Sequence, residues 1–238
     1  MYVKIKRMKR GKFIVLEGTD GSGKATQFRL LSERLRKAKV KASTFDFPRY
    51  GHPSAWFVER YLNGDFGSLK EVGPKTASLF YALDRYAAGP AIRSALTQGK
   101  TVISNRYVAS NLGHQGSKMR GPAAKRKYFQ WDMELEYGTN NIPEPDLNLI
   151  LHVPAKVAQK LVDQKLRRRY LLNGKKRDLH ETDLGHLKRT EGTYLLLSEL
   201  FPEKFRLVEC VRGDRLLSPE EVHEKIWQIV RSRLKLKA

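Results

Sequence analysis

Cysteine is almost absent from this chain of 238 residues, and the one thiol, Cys210, excludes an internal disulfide and any zinc site built from several cysteines. A single unpaired cysteine fits a reducing compartment, so a cytoplasmic location is expected. Long apolar runs are also missing: the longest are a few residues, too short to span a bilayer, and no membrane partner is expected. The first ten residues, MYVKIKRMKR, are basic but lack the apolar stretch and small-residue cleavage site of a secretory signal. Acidic residues are scarce relative to basic ones. Against 46 Lys+Arg stand 25 Asp+Glu, a formal net charge of +21, which predicts attraction to nucleotides, nucleic acid or other polyanions without saying which. Internal repeats and low-complexity segments are lacking too, which excludes solenoids and disordered arrays.

What is present is an alternation of short apolar runs and helical stretches. Runs at Phe13–Leu16, Ala42–Phe45, Thr101–Ser104, Leu147–Val153 and Phe205–Val208 read as buried strands. Helices are expected over Lys24–Ala38, Pro53–Leu62, Pro74–Gln98, Ala123–Tyr137, Asp183–Leu200 and Pro219–Leu234. The last is the best marked, with Ser218 as N-cap, Pro219 at the first helical position and Glu221 closing a capping box. Five strands alternating with helices imply an α/β fold, a parallel sheet with helices on both faces. No linker interrupts the pattern, so residues 1–238 read as one domain with a basic extension over about 1–11 and a mobile insert.

The segment Phe13 to Gln27, FIVLEGTDGSGKATQ, carries the chemistry. An apolar strand runs into Gly18-Thr19-Asp20-Gly21-Ser22-Gly23-Lys24 and an amphipathic helix follows, which is the GxxxxGK phosphate loop in its strand–loop–helix setting. The glycines let successive N–H groups turn toward phosphate oxygens, and the helix dipole and Lys24 add positive potential there. The position that usually offers a hydroxyl to Mg²⁺ is Ala25, and the hydroxyl arrives one residue later at Thr26, about 100° away around the helix.

Beyond this loop the chain resembles the thymidylate kinase family of P-loop nucleoside monophosphate kinases, roughly from Lys12 to Leu200. The likeness rests on LEGTDGSGKATQ, FPRYG (Phe47 to Gly51), LFYALDR (Leu79 to Arg85), NRYVASNLGHQ (Asn105 to Gln115) and RDLHETD (Arg177 to Asp183) with Tyr194 downstream, in the family's order. It implies a P-loop kinase fold with a mobile lid over about residues 164–182, a homodimer packed through the helices near Pro53–Leu62 and Pro74–Gln98, and transfer of the γ-phosphoryl group of ATP to dTMP with Mg²⁺. By the same resemblance Arg85 and Arg106 hold the dTMP phosphate with Arg49 as a third cation, Phe47 and Tyr81 cradle the base, Asn111 and Gln115 match positions near the base edge, where an amide can donate and accept together, and Ser110 belongs to the substrate site. Asp20 accepts from the sugar 3′-hydroxyl and, with Asn105, helps hold the metal. Arginine suits the phosphate positions because its planar fork binds two oxygens at once. The phosphate loop carries Gly21-Ser22 and no arginine, so the catalytic arginine, beside Lys24 and Arg106, is expected from the basic run Lys165 to Arg177, as Arg169 or Arg177. Asp178 and Glu181 match acids at the lid's end. Two positions depart from the family pattern: Asn105 stands where it has an aspartate, and His114 where some relatives carry a tyrosine. Three other functions remain open on sequence alone: a kinase for another nucleoside monophosphate or nucleoside, a nucleic-acid-binding P-loop protein, and a catalytically weakened nucleotide binder.

Overall fold

Five short strands build one parallel sheet in a computed structural model that describes residues 9–163, 184–213 and 215–236. In chain order the main elements are β1 (Phe13–Glu17), α1 (Lys24–Lys37), β2 (Ala42–Asp46), α2 (Trp56–Asn63), α3 (Leu69–Val72), α4 (Pro74–Thr97), β3 (Thr101–Asn105), α5 (Val108–His114), α6 (Gly121–Met133), β4 (Leu147–His152), α7 (Ala155–Asp163), α8 (Leu184–Leu200), β5 (Phe205–Glu209) and α9 (Pro219–Leu234). A 3₁₀ turn over Pro53–Ala55 leads into α2, and α6 continues into a π-helical turn over Glu134–Thr139. Strand order is β2-β3-β1-β4-β5 with every pairing parallel, which puts β1 and the loop that follows it at the centre.

All five expected strands form, each within one or two residues of its expected limits. β1 is buried at every position because helices cover both sheet faces. Alternation along the strand sends Ile14 and Leu16 to one side, where they meet Leu31 and Leu35 of α1 and Val222, Ile226 and Val230 of α9. Phe13 and Val15 go to the other, against Ala88, Ile92 and Leu96 of α4. The capping box at Ser218 and Glu221 forms as expected, so α9 begins where its sequence says. Helices α3, α5 and α7 lie outside the expected set. α5 was hidden because its run VASNLGH holds a glycine, an asparagine and a serine, poor helix formers that tertiary packing overrides. Gly113 shows that packing: a Cβ there would stand 2.5 Å from the Tyr194 ring of α8. Just before β1, Arg10 and Lys12 pair with Asp146 at 2.9 and 2.7 Å.

At the carboxyl end of β4, His152 lies between Glu191 of α8 (2.9 Å) and Glu209 of β5 (2.8 Å). Burial alone would lower its pKa, but the two carboxylates overcome that and raise it. A folded-state pKa above the unfolded value means that this cross-link contributes fully below about pH 6.5 and fades as pH rises through the folded value. His152→Gln is therefore expected to destabilise by about 1–2 kcal/mol at pH 6 and by much less at pH 9, measured by urea unfolding at both values.

Candidate active site

The phosphate loop turns between β1 and α1 with Gly18, Gly21 and Gly23 at φ of 139°, 83° and 84°, a region that other residues rarely adopt. At Gly21 space as well as φ requires glycine: a Cβ would lie 2.2 Å from the Ala158 carbonyl oxygen of α7. Gly23 caps α1 without a side-chain hydrogen bond, leaving the first-turn amides of the helix turned toward the loop. Lys24 is buried, and its Nζ donates to the carbonyls of Gly18 (3.0 Å) and Thr19 (2.7 Å) and to Ser22 Oγ (3.4 Å). Ala25 and Thr26 face outward on the first turn of α1. Thr19 Oγ1 is buried without a hydrogen-bond partner.

Beside the loop lies Glu17, the last residue of β1 and fully buried. Its Oε1 accepts from the Tyr107 amide at 2.7 Å, and its Oε2 accepts from Ser110 Oγ at 2.7 Å and Tyr194 Oη at 3.1 Å. Burial raises its pKa, and Arg106, Ser110, the Tyr107 amide and Lys24 work in the opposite direction. Sequence reasoning passed over this acid, although a carboxylate closing an otherwise apolar central strand is itself a signal.

Glu17 fixes the turn that delivers Arg106. This arginine has φ 62°, left-handed backbone that costs a non-glycine residue about 1–3 kcal/mol. The Arg106 amide donates to the Leu16 carbonyl and the next amide to Glu17, so β1 pays that strain. The guanidinium then reaches Asp20 of the phosphate loop at 2.5 Å, Ser110 Oγ at 3.3 Å and His114 Nε2 at 3.0 Å. Ordinary backbone at residue 106 would aim the side chain elsewhere, so the strain has a function in placement.

A cleft of about 550 Å³ opens next to this pair, and most of the expected residues line it: Asp20, Phe47, Tyr81, Arg85, Arg106, Ser110, Asn111 and Gln115. Tyr50, Tyr107 and His114 line it too and had not been singled out as binding residues. Phe47 is held tilted against Tyr107 with centroids 5.6 Å apart, and Tyr81 meets Tyr61 edge-on at 6.2 Å. Arg85 is fully buried on α4. It binds Glu136 through Nε at 2.9 Å and through a closer Nη2 contact, and it donates to the Tyr107 carbonyl at 3.3 Å. Burial would lower the Arg85 pKa, but Glu136 more than compensates and the guanidinium stays charged.

Arg49 is placed apart from the other expected substrate residues. It does not line the cleft; its Nε donates to Asp84 Oδ1 at 2.9 Å and its Nη2 to Ser54 Oγ at 2.7 Å, so it pins the loop after β2 onto α4. The sequence shows Arg49 in the loop after β2 and Asp84 inside the LFYALDR motif, but not that the two would pair across 35 positions. Asn105, at the end of β3, donates from Nδ2 to Asp46 Oδ1 at 2.7 Å, and its own Oδ1 is buried without a partner. Burial raises the Asp46 pKa, with Asn105, Arg106 and Lys24 acting against it. Arg169 and Arg177, and the whole expected lid, lie outside the described residues.

A phosphate loop on the central strand of a parallel sheet, facing a cationic cleft lined with aromatic rings and amides, defines a P-loop nucleoside monophosphate kinase. A family model described as thymidylate kinase matches residues 16–226. Among characterised relatives, thymidylate kinase of Mycobacterium tuberculosis is 33% identical over 186 residues, covering 78% of this chain and 85% of that one. Thymidylate kinase of Rhodopseudomonas palustris is 31% identical over 233 residues, 97% of this chain and 93% of the relative. The solved structure of thymidylate kinase from Candida albicans superposes with a TM-score of 0.71 at 20% identity, covering 94% of this chain and 92% of the other, and shows the shared fold. The chain belongs to the thymidylate kinase family, whose reaction is ATP-dependent phosphorylation of dTMP to dTDP.

The Arg85–Glu136 pair makes a direct prediction. Glu136→Ala would leave a buried guanidinium without its carboxylate and is expected to lower unfolding free energy by about 3–5 kcal/mol in urea. A loss below about 1 kcal/mol would mean that Arg85 finds water or another partner instead.

Proposed function

We propose that the cleft holds dTMP with its phosphate against Arg106, next to the ATP phosphates cradled by Gly18 to Lys24. The observation that carries this reading is the Arg106–Asp20 contact, which joins the phosphate loop to the dTMP cleft in one ion pair. Lys24, now bound to loop carbonyls, exchanges those for β- and γ-phosphate oxygens when ATP arrives. A dTMP phosphate oxygen attacks the γ-phosphorus, the bond to the β-phosphate oxygen breaks, and ADP leaves with that electron pair. The attacking phosphate is already anionic, so the step needs no general base. It needs two anions brought together, and Lys24 and Arg106 supply the opposing charge. Arg85, held by Glu136 and the Tyr107 carbonyl, closes the cleft behind Arg106, and Phe47 and Tyr81 frame the flat base. Asp20 lines the same cleft and, by the family resemblance, accepts from the sugar 3′-hydroxyl. From the sequence, Arg169 or Arg177 is the further arginine for the transferring group.

Thymidylate kinases generally use Mg²⁺. Among the described residues no group of three or more His, Cys, Asp or Glu side chains could hold a metal ion, and the nearby donors are oxygens: the Asp20 carboxylate and Asn105 Oδ1, which is buried and unpartnered. That sparse oxygen set fits a Mg²⁺ ion bound mainly by the nucleotide and water, with Asp20 and Asn105 completing it. When bound, the ion would offset charge on the β- and γ-phosphates.

The chain is read as a single domain that forms a homodimer. Exposed apolar side chains on α2 and α4, Trp56, Phe57, Leu79, Leu83 and Tyr86, support this, since large apolar groups exposed together on a helix pair are suited to a second copy. No helix among the described residues is long and apolar enough to cross a membrane.

Two measurements test these assignments. Arg106→Ala should raise KM for dTMP far more than KM for ATP, at a cost of about 2–5 kcal/mol in a coupled ADP-release assay, and equal changes for both substrates would remove Arg106 from the dTMP side. Leu83→Glu combined with Tyr86→Glu should convert a dimer to monomer in sedimentation velocity; an unchanged sedimentation coefficient would place any interface elsewhere.

A further inference from the structure

Two carboxamides face the cleft from one side of the α5 segment. Asn111 and Gln115 are four residues apart, so they lie one turn above the other on the same face. Their amides are held in opposite senses. Asn111 Nδ2 donates to the Ser78 carbonyl at 3.3 Å and to Asp132 Oδ1 at 3.1 Å, which leaves Oδ1 as the group it offers. Gln115 is reversed: Lys118 Nζ donates to its Oε1 at 2.6 Å, leaving the Nε2 hydrogens to face the cleft.

Lys118 is an unusual anchor. Its ammonium has neutral partners only among the described residues, Gln115 Oε1 and the Tyr61 hydroxyl at 3.2 Å. Burial pushes its pKa down to about 8, so its place in the structure costs stability rather than adding it. An ammonium has donors and no acceptor, so it can bind only the oxygen of a carboxamide. A flip of Gln115 would turn its NH₂ onto the ammonium and lose a charge-assisted bond.

We propose that Lys118 is a positioning residue for base specificity: by fixing the Gln115 amide it makes the cleft offer one hydrogen-bond acceptor, Asn111 Oδ1, beside one donor, Gln115 Nε2. That pair complements a lactam edge, a ring N–H next to a carbonyl, as in a 4-oxopyrimidine. It mismatches a 4-aminopyrimidine, which presents a ring nitrogen acceptor beside an NH₂. Without the lysine, Gln115 could rotate and serve either base. The inference deepens the reading of the cleft as the dTMP site and rests on it.

The test compares dTMP with dCMP in the full-length enzyme, by kcat/KM in the coupled assay and by calorimetric binding of each monophosphate. Lys118→Met keeps the stem and removes the donor, and should narrow the dTMP:dCMP preference about tenfold, the worth of one directed hydrogen bond, with the change in KM and Kd rather than kcat. Lys118→Arg retains the donor and should restore the preference. Gln115→Glu keeps a partner for Lys118 but replaces the facing NH₂ with an oxygen, and should shift the preference toward dCMP. Thermal unfolding of each variant checks that the fold persists. An unchanged ratio in Lys118→Met, or a parallel loss on both substrates, overturns the proposal. Failure of dTMP to compete for the cleft at all, read as Asn111→Ala and Tyr81→Ala leaving dTMP affinity untouched, would instead overturn the location of the dTMP site.

Discussion

The carboxylate of Glu17 is the constraint from which the site is built. It lies at the end of the central strand, away from solvent, and joins three parts of the chain that are far apart in sequence: the phosphate loop that follows it, the turn at Tyr107 and Ser110, and Tyr194 on α8. A buried carboxylate is costly unless both oxygens are hydrogen-bonded, and here an amide and two hydroxyls supply three bonds. The same bonds hold Arg106 in left-handed backbone, which is why a guanidinium from β3's far end meets an aspartate in the phosphate loop.

Arg106, Arg85, Arg49 and Lys24 already have fixed partners before any nucleotide binds. Arg106 has Asp20, Arg85 has Glu136, Arg49 has Asp84, and Lys24 has the loop's own carbonyls. Each partner fixes a direction, so the groups that would meet phosphate are oriented in advance and little reorganisation remains for binding. The pairs differ in exposure, and that separates their roles. Arg85 and Glu136 are the more deeply buried pair although Arg85 also lines the cleft, whereas Arg106 and Asp20 are more exposed, and there an incoming phosphate can compete for the guanidinium.

Much of this was legible in the linear order. The phosphate loop is a spacing rule set by glycine conformation and one lysine, and Gly18, Gly21, Gly23 and Lys24 obey it. The strands could be read because a sheet covered on both faces selects short apolar runs, as in Phe13–Glu17. The cleft residues in FPRYG, LFYALDR and NRYVASNLGHQ were found through family resemblance, and all but Arg49 of those chosen for substrate binding line the cavity. Tyr50 lay within the quoted FPRYG segment and was passed over because a tyrosine after an arginine has no spacing rule to mark it.

Sequence alone determined the five strands, six of the helices, the phosphate loop and the family, because these depend on local backbone preference and on the order of short segments. Tertiary structure decided which charges pair and which face the cleft, because such choices depend on contacts between residues distant in the chain. Arg49 and Asp84 are 35 positions apart and Arg85 and Glu136 are 51 apart, and only the packing of α4 against its neighbours brings them together. The same holds for Gln115: its sequence shows an amide, and the bond from Lys118 decides that the amide faces the cleft as a donor.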